Sequence, residues 1–174
     1  MAETAFPSPT IPISDERQVL LGYLDFFREV ALAKVAGMAP KDQTASPLAS
    51  GWTPLELLNH LRHVERRWLE WGFCGVPMSD PWADHRDHRW HTDEDFAEIS
   101  AQLERQAVVS RRVVEDHGLD EVGQPGERWD GDPPATLRRV LLHLVQEYAR
   151  HCGHLDIVRE MVDGAIGEDT GPLQ

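Results

Sequence analysis

The chain has 174 residues, 41% of them hydrophobic and 27% charged, with a net charge of −13. That size and balance predict one soluble globular domain over 1–174 and exclude a disordered chain. The acidic excess disfavours nucleic acid as a partner, and no apolar run reaches the roughly 20 residues of a membrane span, so no membrane partner is expected. Two cysteines, Cys74 and Cys152, are too few for a disulfide framework. With no basic-then-apolar leader at the start, the expected setting is the cytoplasm.

Residues 1–13 read as an extended arm with three prolines. Ser14-Asp15-Glu16 can cap a first helix, whose apolar stripe runs from Val19 and Leu20 through Phe26, Phe27 and Val30 to Val35, ending at Gly37. Residues 38–51 read as a loop. The second helix has a capping box, with Thr53 at the cap, Pro54 in the first turn and Glu56 three residues on. Leu55, Leu57, Leu58, Leu61, Val64, Trp68 and Leu69 carry it to about Phe73.

Residues 76–91 form a long connection with Trp82, Trp90, His85, His88 and His91. A loop loses much entropy in holding three ligands in one geometry. The segment is therefore expected to rim the bundle end through its tryptophans, without a tight metal of its own. Thr92-Asp93-Glu94-Asp95 opens a third helix, with Phe96, Ile99, Leu103, Ala107, Val108 and Val113 as its buried stripe, ending near Gly118. After a turn-rich loop, the fourth and longest helix spans about 136–163. Its stripe includes Leu137, Val140, Leu141, Leu144, Val145, Tyr148, Leu155, Ile157, Val158 and Met161, and Gly164 ends it. Residues 165–174 read as a loose tail. No convincing strand appears. The expected fold is all-α, a four-helix bundle with long connections.

The fourth helix holds the most telling stretch, Glu147-Tyr148-Ala149-Arg150-His151-Cys152-Gly153-His154. At ~100° per residue and with His143 at zero, Glu147 falls near ~40°, His151 near ~80° and His154 near ~20°, one arc of a helix face. Cys152 turns away from it and reads as a packing residue. On the second helix, His60 lies in the apolar pattern and can supply a third ligand across the interface. Two imidazoles and a carboxylate leave coordination positions open, as metals that do chemistry require. His154 could replace Glu147, and His63 could replace His60. The bland alternative is a polar rim whose histidines are satisfied by nearby carboxylates. No phosphate-binding glycine loop, Gly-x-Ser-x-Gly turn or Cys-x-x-Cys pair appears, which removes support for nucleotide-dependent, serine-hydrolase and thioredoxin-like readings.

Two motifs carry a resemblance. Trp52-Thr53-Pro54-Leu55-Glu56-Leu57-Leu58-Asn59-His60-Leu61, followed by Val64-Glu65-Arg66-Arg67-Trp68, resembles the second helix of the DinB/YfiT-like metalloenzyme superfamily. Glu147 through Asp156, with Arg159-Glu160 and Asp163-Gly164, resembles the last helix of its actinobacterial branch. The resemblance implies a DinB-like four-helix bundle with metal held by His60, Glu147 and His151. Many relatives carry His at both helix-four positions, whereas the His/Glu/His version resembles the mycothiol-dependent maleylpyruvate isomerases. His154 falls where many relatives have Gln and is expected beside the ligands, orienting one or meeting substrate.

The implied function is a metal-dependent S-transferase that joins a low-molecular-weight thiol of the mycothiol type to a small electrophile. The chain lacks the length for the further domain of some isomerase relatives, which favours transferase over isomerase. Zinc is the expected ion, with nickel or iron(II) also suited to the ligands. A homodimer is compatible with the reading. The alternatives are a non-catalytic, stress-related metal-binding bundle and a metal-dependent hydrolase using water as nucleophile. No catalytic residue beyond the ligands is named by the sequence, nor is the electrophile.

Overall fold

The computed structural model describes residues 6–166. The remainder of the arm and of the tail, 1–5 and 167–174, lies outside the described residues. The chain is mostly helical. Its long helices are α1 (Glu16–Ala36), α3 (Pro54–Glu65), α4 (Phe96–Asp116) and α5 (Leu137–Asp163), with a short α2 (Pro40–Gln43) in the first connection.

Local chemistry sets the helix ends. The Asp15 side chain accepts from the Arg17 backbone N–H at 2.9 Å to cap α1. Thr53 with Glu56 at α3, and Asp95 with Glu98 at α4, complete reciprocal capping boxes. Thr136 caps α5, and Gly164 closes it with φ 72°, the left-handed conformation that favours glycine. Of the arm, Phe6 packs edge-on against Tyr23 and Phe26 of α1, with ring centroids 5.7 and 5.0 Å away.

The helices close on one apolar core in which Leu24, Leu58, Leu61, Leu103, Leu141, Leu144 and Leu155 are buried. At its centre is a carboxylate. Glu65 of α3 has no solvent exposure. It accepts two hydrogen bonds from the Arg28 guanidinium of α1, each at 3.0 Å. Ser110 of α4 and Tyr148 of α5 each donate to it at 2.5 Å. One residue thereby ties all four long helices together, and a buried charge paired and hydrogen-bonded in this way is tolerated where a bare one is not.

That network corrects the stripe expected for α4. Val108 is 53% exposed, whereas Gln106 and Ser110 are buried. The inner face of α4 follows Ile99, Leu103, Gln106, Ser110 and Val114, because a hydroxyl is needed opposite Glu65. On α5, Ile157 and Met161 also face outward, each 56% exposed.

Beyond Glu65 the second helix does not continue as an α-helix. Arg66–Phe73 is a π-helical segment, with Cys74 N–H donating to Leu69 C=O at 2.9 Å. Gly72 in this segment is closely covered: a Cβ there would meet Arg128 Cγ at 3.3 Å and Trp129 Cζ2 at 3.5 Å.

The expectation of no strand is corrected by a small hairpin in the long connection. Strands β1 (His85–Arg86) and β2 (Arg89–Trp90) pair antiparallel, His85 opposite Trp90. Asp87 and His88 between them have φ of 52° and 63°, positive at both central positions as a type I′ turn requires. Two-residue strands are too short for alternation to register in the sequence. A 3₁₀ turn, Glu127–Trp129, interrupts the last connection and buries Trp129. Among the described residues, no helix is long and apolar enough to cross a membrane.

Candidate metal centre

His60, on the inner side of α3, approaches the Glu147/His151 face of α5. One ligand atom from each of the three residues lies within 4.8 Å of the other two. His151 Nε2 is 3.3 Å from Glu147 Oε2, and the His60 and His151 ring centroids are 5.3 Å apart. His151 is buried, and Glu147 and His60 are half-buried.

Asp84 fixes His60. This fully buried carboxylate lies 3.0 Å from His60 Nδ1 through Oδ2. Its two oxygens also accept from the Arg67 guanidinium at 2.6 and 3.1 Å. With Nδ1 committed to Asp84, Nε2 is the ring nitrogen left for another partner, the arrangement by which a carboxylate sets the tautomer of a metal-binding histidine. Arg67 sits in the π-helical segment and Asp84 just before the hairpin, so two irregular elements supply this support.

The hairpin is anchored to α3: Asn59 Nδ2 donates to His91 C=O at 3.0 Å, and His91 N–H donates to Asp84 C=O at 2.8 Å. It lays Trp90 over His60 as a stacked pair, 4.2 Å between centroids, with Trp90 5.3 Å from the His151 ring. One indole thus covers both imidazoles. Trp82 is 49% exposed, with the Arg67 guanidinium 4.5 Å from its ring.

Burial controls the protonation of the cluster. It pushes His151 down to about 3, helped by the neighbouring His60 and His154. It also lowers His60, against the opposing pull of Asp84. Asp84 itself is buried, yet hydrogen bonds from His60 and Arg67 hold it far below the usual carboxylate range. At neutral pH the His60 and His151 imidazoles are therefore neutral, each with a ring lone pair, the state a cation requires of such donors.

The other candidates fall around this group. His154 Nδ1 is 3.2 Å from His151 Nδ1, and its ring is 6.2 Å from Trp52. His63 is buried on another side of α3, with Nε2 2.8 Å from an Arg62 guanidinium nitrogen. Neither joins a set of three converging ligand atoms among the described residues. His85 does, with Asp84 and His60. In that set the Asp84 oxygens are already engaged by Arg67, which makes Asp84 a support. His91 Nε2 lies 3.1 Å from Asp93. Cys152 is buried, its Sγ donating to Phe27 C=O at 3.3 Å, and burial raises its thiol to about 12. Cys74 is likewise raised by burial.

Trp90 meets the expectation that the segment's tryptophans rim this end of the helices, whereas Asp84 and Arg67 are not legible as site residues, because the polar loop gives no sign of what its carboxylates fold onto. The adjacency of Asp84 and His85, with Arg67 in the second-helix motif, is the one trace of them. His143, a turn before Glu147 and on the same helix face, also approaches the group. Its Nε2 is 3.7 Å from Glu147 Oε1, and its ring meets Trp68 edge-on at 4.7 Å.

Two clefts flank the cluster. One, about 440 Å³, lies along the hairpin and Trp52. The other, about 630 Å³, lies between Trp68, His143 and the last connection. A family model described as Mycothiol-S-transferase matches residues 19–164. No curated protein and no solved structure matches the chain.

Proposed function

This chain belongs to the mycothiol-S-transferase family, and from that premise we propose that it is a metal-dependent S-transferase joining mycothiol to a small electrophile. In this reading residues 6–166 form a single DinB-like four-helix bundle, and His60, Glu147 and His151 are the metal ligands. The observation that carries the metal requirement is the convergence of two neutral imidazoles and a carboxylate within 4.8 Å, with His60 held from behind by Asp84. Two nitrogens and an oxygen suit zinc first, and nickel or iron(II) next.

A divalent ion bound there supplies the means to lower the pKa of a thiol, so that thiolate exists at neutral pH. The chain's own residues do the rest. Asp84 holds His60 in one tautomer. Trp90 shields the imidazoles from water. The sulfur–carbon bond forms as the S–H bond breaks and its proton passes to solvent, while the electrophile's carbon gives up either a leaving group as its anion or the electron pair of a π bond or strained ring, which then takes a proton from solvent. Neither protein cysteine competes as nucleophile, since both are pushed toward the thiol form by burial. His154, beside His151 and Trp52, is placed to meet the incoming thiol.

Protein purified without a histidine tag and analysed for metals is expected to carry about one divalent ion per chain. It should accelerate conjugation of mycothiol to model electrophiles, and His60→Ala and His151→Ala should each lose both properties. Turnover that is independent of thiol would favour the hydrolase reading. Metal binding with no turnover on any electrophile would favour a binding module.

A further inference from the structure

We propose that the cleft of about 630 Å³ beside the candidate metal centre is the acceptor subsite, and that Arg128 holds there a carboxylate borne by the electrophile. This rests on the transferase reading above. The Arg128 guanidinium lies 3.7 Å from the Trp68 ring centroid. Its Nε is shielded from solvent and has no hydrogen-bond partner. Among the described residues no carboxylate pairs with it, although ten ion pairs satisfy arginine and lysine cations elsewhere in the protein. Burial, and then the charge of Arg67, lower its pKa from the ordinary arginine value. A partly desolvated, unpaired cation is costly, and a planar guanidinium is matched best by a carboxylate accepting two N–H bonds.

The rest of the lining fits the body of such a molecule. Trp68, Trp129, Pro133 and Pro134 give flat apolar surface, and Arg139 adds a second positive charge. Asp130 and Asp132 stand exposed at the edge and form no ion pair with Arg128. His143 lines the same cleft and its Nε2 lies 3.7 Å from Glu147 Oε1, so one lining residue joins the cleft to the Glu147 side of the candidate metal centre. The hairpin cleft lacks this character: Arg86 there already pairs with Asp93 at 3.0 Å, and Arg89 is exposed. The acceptor class is therefore a carboxylate on a compact, flat, apolar body with its electrophilic centre at the opposite end.

Benzoate and its neutral analogue benzamide test this directly, by titration into ¹⁵N-labelled protein while the tryptophan indole N–H signals are followed. Benzoate should bind at least tenfold more tightly than benzamide, with the largest shifts at Trp68 and Trp129. Arg128→Met should abolish the preference and leave benzamide affinity unchanged. Arg128→Gln replaces it if the methionine variant loses its helical circular dichroism. Equal affinity of the wild type for the two probes would overturn the proposal, as would a preference that survives in a folded Arg128 variant, or shifts confined to Trp52 and Trp90. The titration needs neither thiol nor metal. A failed conjugation assay with the benzoate preference intact would sink the transferase reading alone. Lost preference with conjugation retained would sink the carboxylate site alone.

Discussion

Asp84 does for His60 what no residue on the helices can. It takes up Nδ1 and is itself locked by Arg67, so the imidazole cannot rotate without losing its hydrogen bond to a fixed, buried carboxylate. If His60 is a metal ligand as proposed, Asp84→Asn should weaken zinc binding by about 10–100-fold, the usual effect of removing a carboxylate behind a metal-binding histidine. Competition against a chromophoric chelator would measure it, and unchanged affinity would show that Asp84 has a packing role only. His63 makes the opposite kind of contribution. Burial, reinforced by Arg62, lowers its pKa to about 3, against about 6.5 in an unfolded chain. Above pH ~6.5 both states leave it neutral and no stability is lost. As pH falls from there toward its folded value, the unfolded state binds the proton first and stability drops, by at most about 1.4 kcal/mol per pH unit. His63→Leu should flatten that acid limb in urea-denaturation midpoints between pH 6.5 and 4.5, and an unaltered slope would assign the limb to other groups.

At the scale of elements, the Glu65 network is where the helices are bound to one another, and its members are not equivalent to surface ion pairs. Glu65→Leu leaves the Arg28 charge buried without its main partner, so a loss of about 3–5 kcal/mol is expected by denaturant unfolding. The double variant with Arg28→Met should lose less than the sum of the singles, since the stranded charge is gone. Additive losses would mean the two residues do not share one interaction. This network also explains which elements could be read in advance. Caps and long apolar stripes are local, and Thr53-Pro54 with Glu56 announced α3 on its own. The inner polar stripe of α4 depends on a carboxylate across the core, so Val108 looked like the buried residue and Ser110 did not. Within the π-helical segment Arg66–Phe73, Gly72 packs closely on Arg128 and Trp129, partners more than fifty residues away that the local pattern does not announce. The hairpin's Asp87-His88 turn lacks the Asn-Gly signal that would have marked it.

For the whole molecule, the division of labour between core and site decides how far the metal supports the fold. The convergence of Glu147 and His151 on one face of α5 was legible because they lie one helical turn apart. Of the covering loop only the rimming role of its tryptophans was legible, because nothing in its own pattern states that Trp90 stacks on His60. The apolar core and the Glu65 network are complete without any contribution from the ligands, as Leu58, Leu61, Leu141 and Leu144 are buried against one another independently of the cluster. Removing metal with a chelator should therefore leave the far-UV circular dichroism of a helical protein, unlike a zinc finger, which unfolds. It should still lower the melting temperature, since an ion that binds only the folded state stabilises it by about 4 kcal/mol at a thousandfold excess over its dissociation constant. For a chain of this size that corresponds to a fall of roughly 10 °C. His60→Ala should abolish the metal-dependent part of the melting temperature and retain the metal-free value. A chelated protein that loses its helicity at 25 °C would make the cluster a structural staple, and the transferase reading would lose its open coordination site.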